Sequence, residues 1–186
     1  MAKLRYTFLV SLDGYIEDAH GNFDWAAPGY DVHAFVNDVE RGVGTFLFGR
    51  RMYETMAAWE SPEMLSDENA PVRDFAALWH AADKVVYSTT LADATTARTR
   101  IERSFDPAAI ARLKAESPRD VAIGGANLAA LAFAAGLVDV VSLFVFPVLV
   151  GGGKPVFPPG VHLPLELLDE HRFADGTVYL SYAVAR

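Results

Sequence analysis

Two adjacent arginines are the first residues in this chain whose types suggest binding chemistry. Arg50 and Arg51 follow Gly49, which closes the apolar run Thr45 to Phe48. Two cations at the start of a helix oppose the helix dipole, so helix stability does not explain them. The planar guanidinium group matches phosphate oxygens, and a phosphate between the two side chains would remove the conflict. Isolated surface charges are the alternative interpretation.

A double glycine follows a second apolar run. Gly124 and Gly125 come directly after Val121 to Ile123, and a helical pattern of apolar residues begins at once and continues to Gly136. Glycine has no Cβ, so a bound group can approach the backbone closely. The free N–H groups of a first helical turn attract an anion. This junction predicts a phosphate cradle, with a simple tight turn as the alternative.

Hydroxyl and carboxylate side chains follow two further strands. Ser88 and Thr89 end the strand predicted from Lys84, and their hydroxyls suit a phosphate or ribose, although a turn also explains them. Asp13 follows the first strand and can orient a substrate amine or relay a proton, although Asp before Gly is also common in turns. Ligands of open α/β sheets bind beyond the carboxyl ends of the strands. The coincidence of these groups at successive strand ends predicts a dinucleotide site.

Strands alternate with helices as far as about residue 148, and the chain then closes with a hairpin. The hairpin consists of Leu165 to Phe173 and Thr177 to Val184, joined by Asp175-Gly176. We therefore predict an α/β fold: a mixed, mostly parallel sheet with helices on both faces and antiparallel strands at the C-terminal end. The apolar segment Val138 to Val148 predicts a central strand. No linker or repeat divides the chain, so we expect one domain over residues 1–186.

Several local signals predict individual elements. Ser11 to Gly29 is rich in turn formers and predicts a long loop, which is typical of a lid over a ligand. Asp31 is interpreted as the N-cap of a helix that ends at Gly42. A helix from Arg51 to Ala58 follows the next strand, and Asp106-Pro107 predicts another helix start.

Composition excludes several classes of protein. The 186 residues are 52% hydrophobic, which argues against a disordered chain, and no segment is long and apolar enough to span a bilayer. A net charge of −8 argues against a broad nucleic-acid surface. The chain has no Cys, and its five His show no metal-ligand spacing, so we expect no metal site and a cytoplasmic protein. Gly151 to Pro155 lacks the Ser or Thr of a Walker loop and predicts a flexible turn.

Four motifs together resemble the dihydrofolate-reductase-like superfamily. They are Ser11-Leu12-Asp13-Gly14-Tyr15-Ile16, Phe48-Gly49-Arg50-Arg51-Met52-Tyr53-Glu54, Ile123-Gly124-Gly125-Ala126 and Pro147-Val148-Leu149-Val150-Gly151-Gly152-Gly153-Lys154-Pro155. The chain is most similar to the reductase domain of the bifunctional riboflavin-biosynthesis deaminase–reductase and its stand-alone relatives. The match covers almost the whole chain in the same order. We expect no zinc deaminase site in these 186 residues, because they contain no Cys.

The resemblance implies a sheet of about eight strands and hydride transfer from NADPH to a pyrimidine- or pterin-type substrate. It implies that Gly49, Arg50 and Arg51 bind the 2′-phosphate side of the cofactor. Ser88 and Thr89 would contact the adenosine ribose-phosphate, while Trp25 and the end of the first strand would lie near the nicotinamide and substrate. The residues implied for the pyrophosphate cradle are Gly124, Gly125, Ala126 and Asn127.

Two departures from the family pattern leave the reaction open. Met52 stands where dihydrofolate reductases carry a threonine that touches the pyrophosphate. Their early helical carboxylate has no certain counterpart; Asp31 is nearest, and Asp13, Asp31 or an ordered water is the expected proton source. The first hypothesis is an NADPH-dependent reductase, and the alternative is a non-catalytic nucleotide-binding or sensor protein. We also expect a homodimer formed through the Val138 to Val150 strand and the C-terminal hairpin.

Overall fold

The computed structural model describes residues 1–185, and its main feature is an eight-stranded sheet in the order β5-β4-β3-β6-β1-β7-β10-β9. A small second sheet pairs β2 with β8. The strands are β1 (Leu4–Ser11), β2 (Tyr15–Asp18), β3 (Val43–Gly49), β4 (Asp83–Tyr87), β5 (Thr99–Glu102), β6 (Asp120–Gly124), β7 (Val140–Phe146), β8 (Gly153–Pro155), β9 (Leu165–Arg172) and β10 (Val178–Val184).

The six strands from β5 to β7 along the sheet are parallel, whereas β10 runs antiparallel to β7 and to β9. The predicted mixed sheet with its C-terminal hairpin is therefore confirmed. Gly176 adopts a φ of 92° in the hairpin turn, a conformation that glycine accepts without strain. β7 is an interior strand, as its apolar sequence predicts, because β1 and β10 pair with its two edges.

Helices cover both faces of the sheet. The α-helices are α1 (Tyr30–Glu40), α2 (Arg50–Met56), α3 (Pro62–Leu65), α4 (Ala70–Ala81), α5 (Pro107–Glu116) and α6 (Ala126–Ala134), with short 3₁₀ turns at Asp24–Ala26 and Ala57–Glu60. On one face, α1 packs over β7 and β10, and α2 and α4 pack over β3 and β4. On the other face, α5 and α6 contribute the helical side of the core.

Two expectations about the N-terminal third were wrong. The N-cap of α1 is Gly29, with no side-chain cap, and Asp31 instead lies in the first turn, where a carboxylate interacts favourably with the helix dipole. The segment Ser11 to Gly29 is not a simple loop, because its strand β2 pairs with β8. Gly153 belongs to β8 and not to a free turn: a Cβ there would lie 2.0 Å from the Glu17 carbonyl oxygen.

The helix start predicted at Asp106-Pro107 is confirmed. Asp106 caps α5 by accepting a hydrogen bond from the Ala108 amide at 2.9 Å. Within residues 1–185, no helix is both long and apolar enough to cross a membrane.

Candidate functional site

The parallel strands bring their carboxyl ends to one edge of the sheet. Phe48 of β3 lies opposite Gly124 of β6, and Gly49 lies opposite Tyr87 of β4. Neighbouring strands are about 4.8 Å apart, so the segments that follow these residues are adjacent. The structure thus places the arginines, the hydroxyl cluster and the double glycine at one edge, with the end of β1 next in line.

The double glycine leaves no room for larger residues. A Cβ on Gly124 would lie 2.6 Å from Phe48 Cε1 and 3.3 Å from Met52 Cγ. Gly125 has a φ of 94°, which L residues with side chains rarely adopt. It is the N-cap of α6, and no side chain caps this terminus. The first N–H groups of α6 therefore remain available to an anionic group, as the sequence predicts.

Arg50 links the ends of two strands. Its Nη1 donates to Thr90 Oγ1 at 2.9 Å, beyond β4, and its Nε donates to Glu54 Oε1 at 2.7 Å, one turn along α2. The side chain is 48% exposed, so these contacts hold the guanidinium in place while leaving it accessible. α2 has neither a side-chain cap nor an acidic residue in its first turn. Glu54, one turn along α2, is therefore the carboxylate partner of the Arg50 guanidinium.

The hydroxyl of Ser88 organises a turn. Ser88 Oγ accepts hydrogen bonds from the amides of Thr90 at 3.3 Å and Leu91 at 2.9 Å, whereas Thr89 is exposed. Arg103, which sequence reasoning missed, donates to the carbonyls of Ser88 at 2.9 Å and Leu91 at 2.7 Å. Arg103 directly follows the end of β5, and its position at a strand end could have identified it as a candidate site residue. Arg50 and Arg103 therefore contact the same four-residue turn.

Arg51 does not share the position of Arg50. Its Nη2 lies 3.6 Å from Glu17 Oε2 on β2, and it is the nearest atom to a Cβ built on Gly21. With 74% of its side chain exposed, Arg51 reaches toward the turn that follows β2. The structure brings Arg51 to the same edge as Arg50. The two guanidinium groups have different partners, Thr90 for Arg50 and Glu17 for Arg51, so they do not converge on one phosphate position.

Asp13 joins two loops at the end of β1. Its carboxylate accepts hydrogen bonds from the amides of Val150 at 3.2 Å and Gly151 at 2.8 Å. A hydrogen bond from the Ser11 hydroxyl, supported by these amides, lowers the pKa of the Asp13 carboxyl. An exposed, ionised carboxylate suits the orientation of a substrate better than the donation of a proton.

Asp31 lies apart from the other candidates. It lines an open cleft of about 330 Å³ with His171, Arg172 and Phe173, between α1 and the turn of the C-terminal hairpin. Because β9 is the edge strand farthest from β5, this cleft lies toward the opposite end of the sheet from the arginines. The geometry does not bring Asp31 to the cofactor candidates, although its catalytic role remains a prediction.

Two separate apolar clusters stand on one face of the sheet, on either side of β6 and β1. Trp25 packs on the first cluster, which contains Phe144 and Phe146, and donates its Nε1–H to the Asn22 carbonyl at 3.2 Å. Met52 packs on the second, which contains Phe48. Met52 also lies against the double glycine: its Cγ would be 3.3 Å from a Cβ on Gly124, and its Cβ 3.5 Å from a Cβ on Gly125.

The side of α2 that carries Met52 continues into residues that sequence reasoning did not select. Met56 follows at i+4 as the last residue of α2, and Trp59 follows at i+7 in the 3₁₀ turn Ala57–Glu60; both pack on the same cluster. The Trp59 ring meets His33 of α1, with ring centroids 5.8 Å apart. This spacing was the available signal, but it is also typical of an ordinary core-facing stripe. We call the partly buried residues Trp25, His33, Met52, Met56 and Trp59 the aromatic set.

Comparison with known proteins identifies relatives for this arrangement. The family model described as RibD C-terminal domain matches residues 2–180. The uncharacterized protein YyaP of Bacillus subtilis (strain 168) is 27% identical over 177 residues, which cover 93% of this chain and 90% of that protein.

Two solved structures share the architecture. A putative riboflavin biosynthesis protein from Shewanella sp. PV-4 superposes with a TM-score of 0.77 and 21% identity, and the match covers 100% of both chains. A dihydrofolate reductase from Enterococcus faecalis, solved with NADP(H) and RAB-propyl, gives a TM-score of 0.66 and 12% identity over 99% of this chain and 97% of that one. At these identities the comparison confirms the dihydrofolate-reductase-like fold.

Proposed function

This chain belongs to the RibD C-terminal domain family, and from that premise we propose that it is an NADPH-dependent reductase acting on a pyrimidine- or pterin-type ring. The family and the dihydrofolate reductase neighbour both favour an oxidoreductase. The alternative is a nucleotide-binding protein without catalytic activity on the same scaffold.

One observation carries the cofactor assignment. The Arg50 guanidinium and the Gly124-Gly125 turn follow neighbouring strands, and any Cβ at Gly124 would fill the space beside Phe48 and Met52. A cation and a bare backbone at one edge fit a phosphorylated dinucleotide. The chain's residues therefore fit NADPH, which when bound would supply the hydride.

The order of the strand ends supports an assignment of the parts of the cofactor, which we propose as follows. Arg50 would hold the 2′-phosphate, with Arg103 and the Ser88 turn on the adenosine side. The α6 N-terminus, with Gly125, Ala126 and Asn127, would hold the pyrophosphate. Arg51 would lie beside it, where it already approaches Glu17. The next strand end, at Asp13, then meets the nicotinamide.

The protein's own contribution to the reaction is orientation and exclusion of water. Side chains of the aromatic set would hold the substrate ring against the nicotinamide, and Asp13 would orient a ring amine or water through its ionised carboxylate. We propose that the proton comes from an ordered water at this position, because the hydrogen bonds to Asp13 favour its ionised form. The 5-amino-6-(5-phosphoribosylamino)uracil of the riboflavin pathway is the family's first test compound.

The cofactor assignment is tested by binding. Thermal denaturation with NADPH and NADH should show stronger stabilisation by NADPH in the native protein. Arg50→Ala should weaken NADPH binding about tenfold or more and leave NADH binding nearly unchanged, because only NADPH carries the 2′-phosphate. Arg100→Ala, which removes an exposed arginine paired with Glu102, is the matched control.

Three outcomes separate the candidates. Unchanged melting temperatures with millimolar NADPH and NADH would refute the cofactor assignment. Cofactor binding without NADPH oxidation by any pyrimidine or pterin would favour the sensor alternative. An unchanged preference for NADPH in Arg50→Ala would refute the 2′-phosphate assignment.

We also propose that the protein forms a homodimer through the C-terminal hairpin. Both edges of β7 are already paired within the chain, so the contact would use β9, whose leucines are exposed. Leu165, Leu167 and Leu168 expose 44%, 54% and 53% of their surface. Light scattering should give a dimer for the native chain and a monomer for Leu167→Lys. A monomeric native chain would refute this proposal.

A further inference from the structure

The loop that joins β4 to β5 carries part of the candidate site and has no regular structure of its own. Its residues 88–98 form neither helix nor strand. The Ser88 turn begins this loop, and Thr90 in the turn accepts the hydrogen bond from Arg50. An irregular segment keeps a fixed conformation where other groups satisfy its backbone N–H and C=O groups. The side chains that bind this loop therefore help to decide where Thr90 lies.

Helix α2 contacts the loop at two places. Arg50 at its start binds Thr90, and Tyr53, three residues later on the same side of the helix, binds the other end of the loop. The Tyr53 hydroxyl oxygen accepts hydrogen bonds from the amides of Thr95 at 2.8 Å and Thr96 at 3.1 Å. It also lies 3.2 Å and 3.1 Å from the hydroxyl oxygens of the same two residues. One hydroxyl group thus binds two consecutive backbone N–H groups of the loop.

The core fixes the ring of Tyr53, and the loop binds its hydroxyl group. The residue is 1% exposed and belongs to the buried cluster that contains Phe48 and Trp79. A buried tyrosine needs a hydrogen-bond partner for its hydroxyl group. Phenylalanine would fill almost the same volume but could not accept a hydrogen bond from either amide. The need for tyrosine at this position therefore comes from the loop and not from the core.

Glu60 makes a second attachment beside the first. Its Oε1 accepts a hydrogen bond from the Ala97 amide at 2.8 Å, and its Oε2 accepts one from Trp79 Nε1 at 2.8 Å. Glu60 belongs to the 3₁₀ turn that directly follows α2. The amides of residues 95, 96 and 97 are therefore all bound by α2 or by the turn after it. This end of the loop is attached to the helix that carries Arg50.

We propose that Tyr53 is a positioning residue for the phosphate of the cofactor. By binding the amides of Thr95 and Thr96 it holds the β4–β5 loop against α2, so that Thr90 keeps the Arg50 guanidinium in place. If Thr90 moves away, Nη1 of Arg50 loses this partner, while Nε retains Glu54. The half-exposed side chain must then be ordered by the ligand, which costs affinity. This inference rests on the proposed function and extends it to a buried residue that acts through the loop.

A double-mutant cycle tests this sequence of contacts. Dissociation constants for NADPH and NADH are measured by calorimetry on the native chain, Tyr53→Phe, Arg50→Ala and the double variant. Tyr53→Phe should weaken NADPH binding about fivefold and NADH binding less than twofold, because Arg50 would bind only the 2′-phosphate. In the Arg50→Ala background, Tyr53→Phe should have almost no further effect on NADPH binding. Additive effects of the two substitutions, or an equal loss for both cofactors, would overturn the proposal.

Two further variants separate positioning from stability. Thr90→Val removes the hydroxyl acceptor of Arg50 at an exposed position and should also reduce the preference for NADPH. Ser142→Ala is the matched control, because it removes one hydroxyl group from a buried pair with Ser181, whose oxygens are 3.0 Å apart between β7 and β10. Like Tyr53→Phe, it should lower the midpoint of urea unfolding, but it should leave both dissociation constants unchanged. A reduced preference for NADPH in Ser142→Ala, or an unchanged one in Thr90→Val, would contradict the assignment.

Hydrogen exchange of the chain without cofactor shows whether the loop itself responds. The amides of Thr95 and Thr96 should exchange at least tenfold faster in Tyr53→Phe than in the native chain, because their acceptor is lost. The Ala97 amide, which Glu60 binds, should change less. Unaltered exchange at Thr95 and Thr96 would show that Tyr53 does not hold the loop and would overturn the proposal.

The two proposals fail in different ways. If the native chain binds neither NADPH nor NADH, the proposed function fails, and the role of Tyr53 in phosphate positioning fails with it. If the native chain prefers NADPH and Tyr53→Phe keeps the full preference, only the inference about Tyr53 fails.

Discussion

The two halves of the candidate site show opposite chemistry although they share one sheet edge. The half beyond β4, β3 and β6 presents Arg50, Arg103 and the bare backbone of the double glycine. The half beyond β1, between α1 and α2, presents aromatic rings, methionines and the Asp13 carboxylate. The fold thus provides one edge, and local sequence divides it into a cationic part, which we propose binds the cofactor phosphates, and an aromatic part, which we propose holds the substrate ring.

The contrast also bears on how an acidic protein would bind the polyanionic cofactor that we propose. The net charge of −8 disfavours anions over most of the surface. Cations concentrated at the carboxyl ends of β3 and β5, together with the free amides of α6, create a local exception. Residues 11–40, which contain acidic residues and no Lys or Arg, do not share this local excess of positive charge.

The largest effect is expected from Gly124→Ala. The added methyl group would lie 2.6 Å from Phe48 Cε1, in a buried aromatic cluster, and should destabilise the protein by about 1–3 kcal/mol. It should also weaken NADPH binding about a hundredfold, because the backbone could no longer approach the pyrophosphate. Denaturant unfolding and cofactor titration measure the two effects. Gly42→Ala, where a Cβ would meet nothing within 4 Å, should change neither.

Asp13→Ala should distinguish the two halves of the site, because it should change catalysis without changing cofactor binding. Loss of the hydrogen bonds to Val150 and Gly151 frees the loop before β8 and should lower kcat/KM about tenfold, with the NADPH dissociation constant unchanged. Since the pKa of Asp13 is lowered, this carboxylate is already ionised at pH 5 and should add no inflection to the pH–rate profile between pH 5 and 8. An inflection near pH 6 that disappears in Asp13→Ala would contradict this interpretation.

Glu40 tests the cost of a buried carboxyl group outside the candidate site, beside Thr7 and Arg5 of β1. Its Oε1 is buried without a hydrogen-bond partner, and burial raises the pKa of the carboxyl above 4.5, against the opposing effects of Thr7 and Arg5. The folded state therefore retains a proton that the unfolded chain releases, so stability decreases as pH rises above about 4.5. Glu40→Gln should stabilise the protein by about 1 kcal/mol at pH 8.

The pH dependence is the check on Glu40. The gain from Glu40→Gln should shrink toward zero near pH 4, where the native carboxyl is protonated in both states. A constant gain across this range, measured by urea unfolding, would mean that packing and not ionisation causes it.

The smallest effect concerns Met52. Its side chain lies against the double glycine, where a hydroxyl would face the pyrophosphate. Met52→Thr should increase the affinity for NADPH two- to threefold, as expected for one added hydrogen bond. NADH affinity should increase by the same factor, because both cofactors carry the pyrophosphate. An increase confined to NADPH would place Met52 near the 2′-phosphate instead.

Much of the fold was predictable because the relevant signals are local. Apolar runs that end in Gly49 and Gly124 mark strand ends, and the Asp175-Gly176 hairpin follows from turn chemistry. The pairing of β2 with β8 was not predictable, since it joins segments more than 130 residues apart in the chain. No local pattern distinguishes such a short strand from a loop.

The sequence alone determined which residue types follow each strand, and therefore which chemistry the shared edge could hold, because parallel strands must end together. Tertiary packing decided where individual side chains point. On α1, Val32 and Phe35 face the sheet, so Asp31 is directed to the cleft near β9 and His33 to Trp59. Residues two positions apart on a helix, such as Asp31 and His33, point in directions that differ by about 200°. Which face of α1 is buried therefore decides that His33 contacts Trp59 and that Asp31 lies at the cleft near β9.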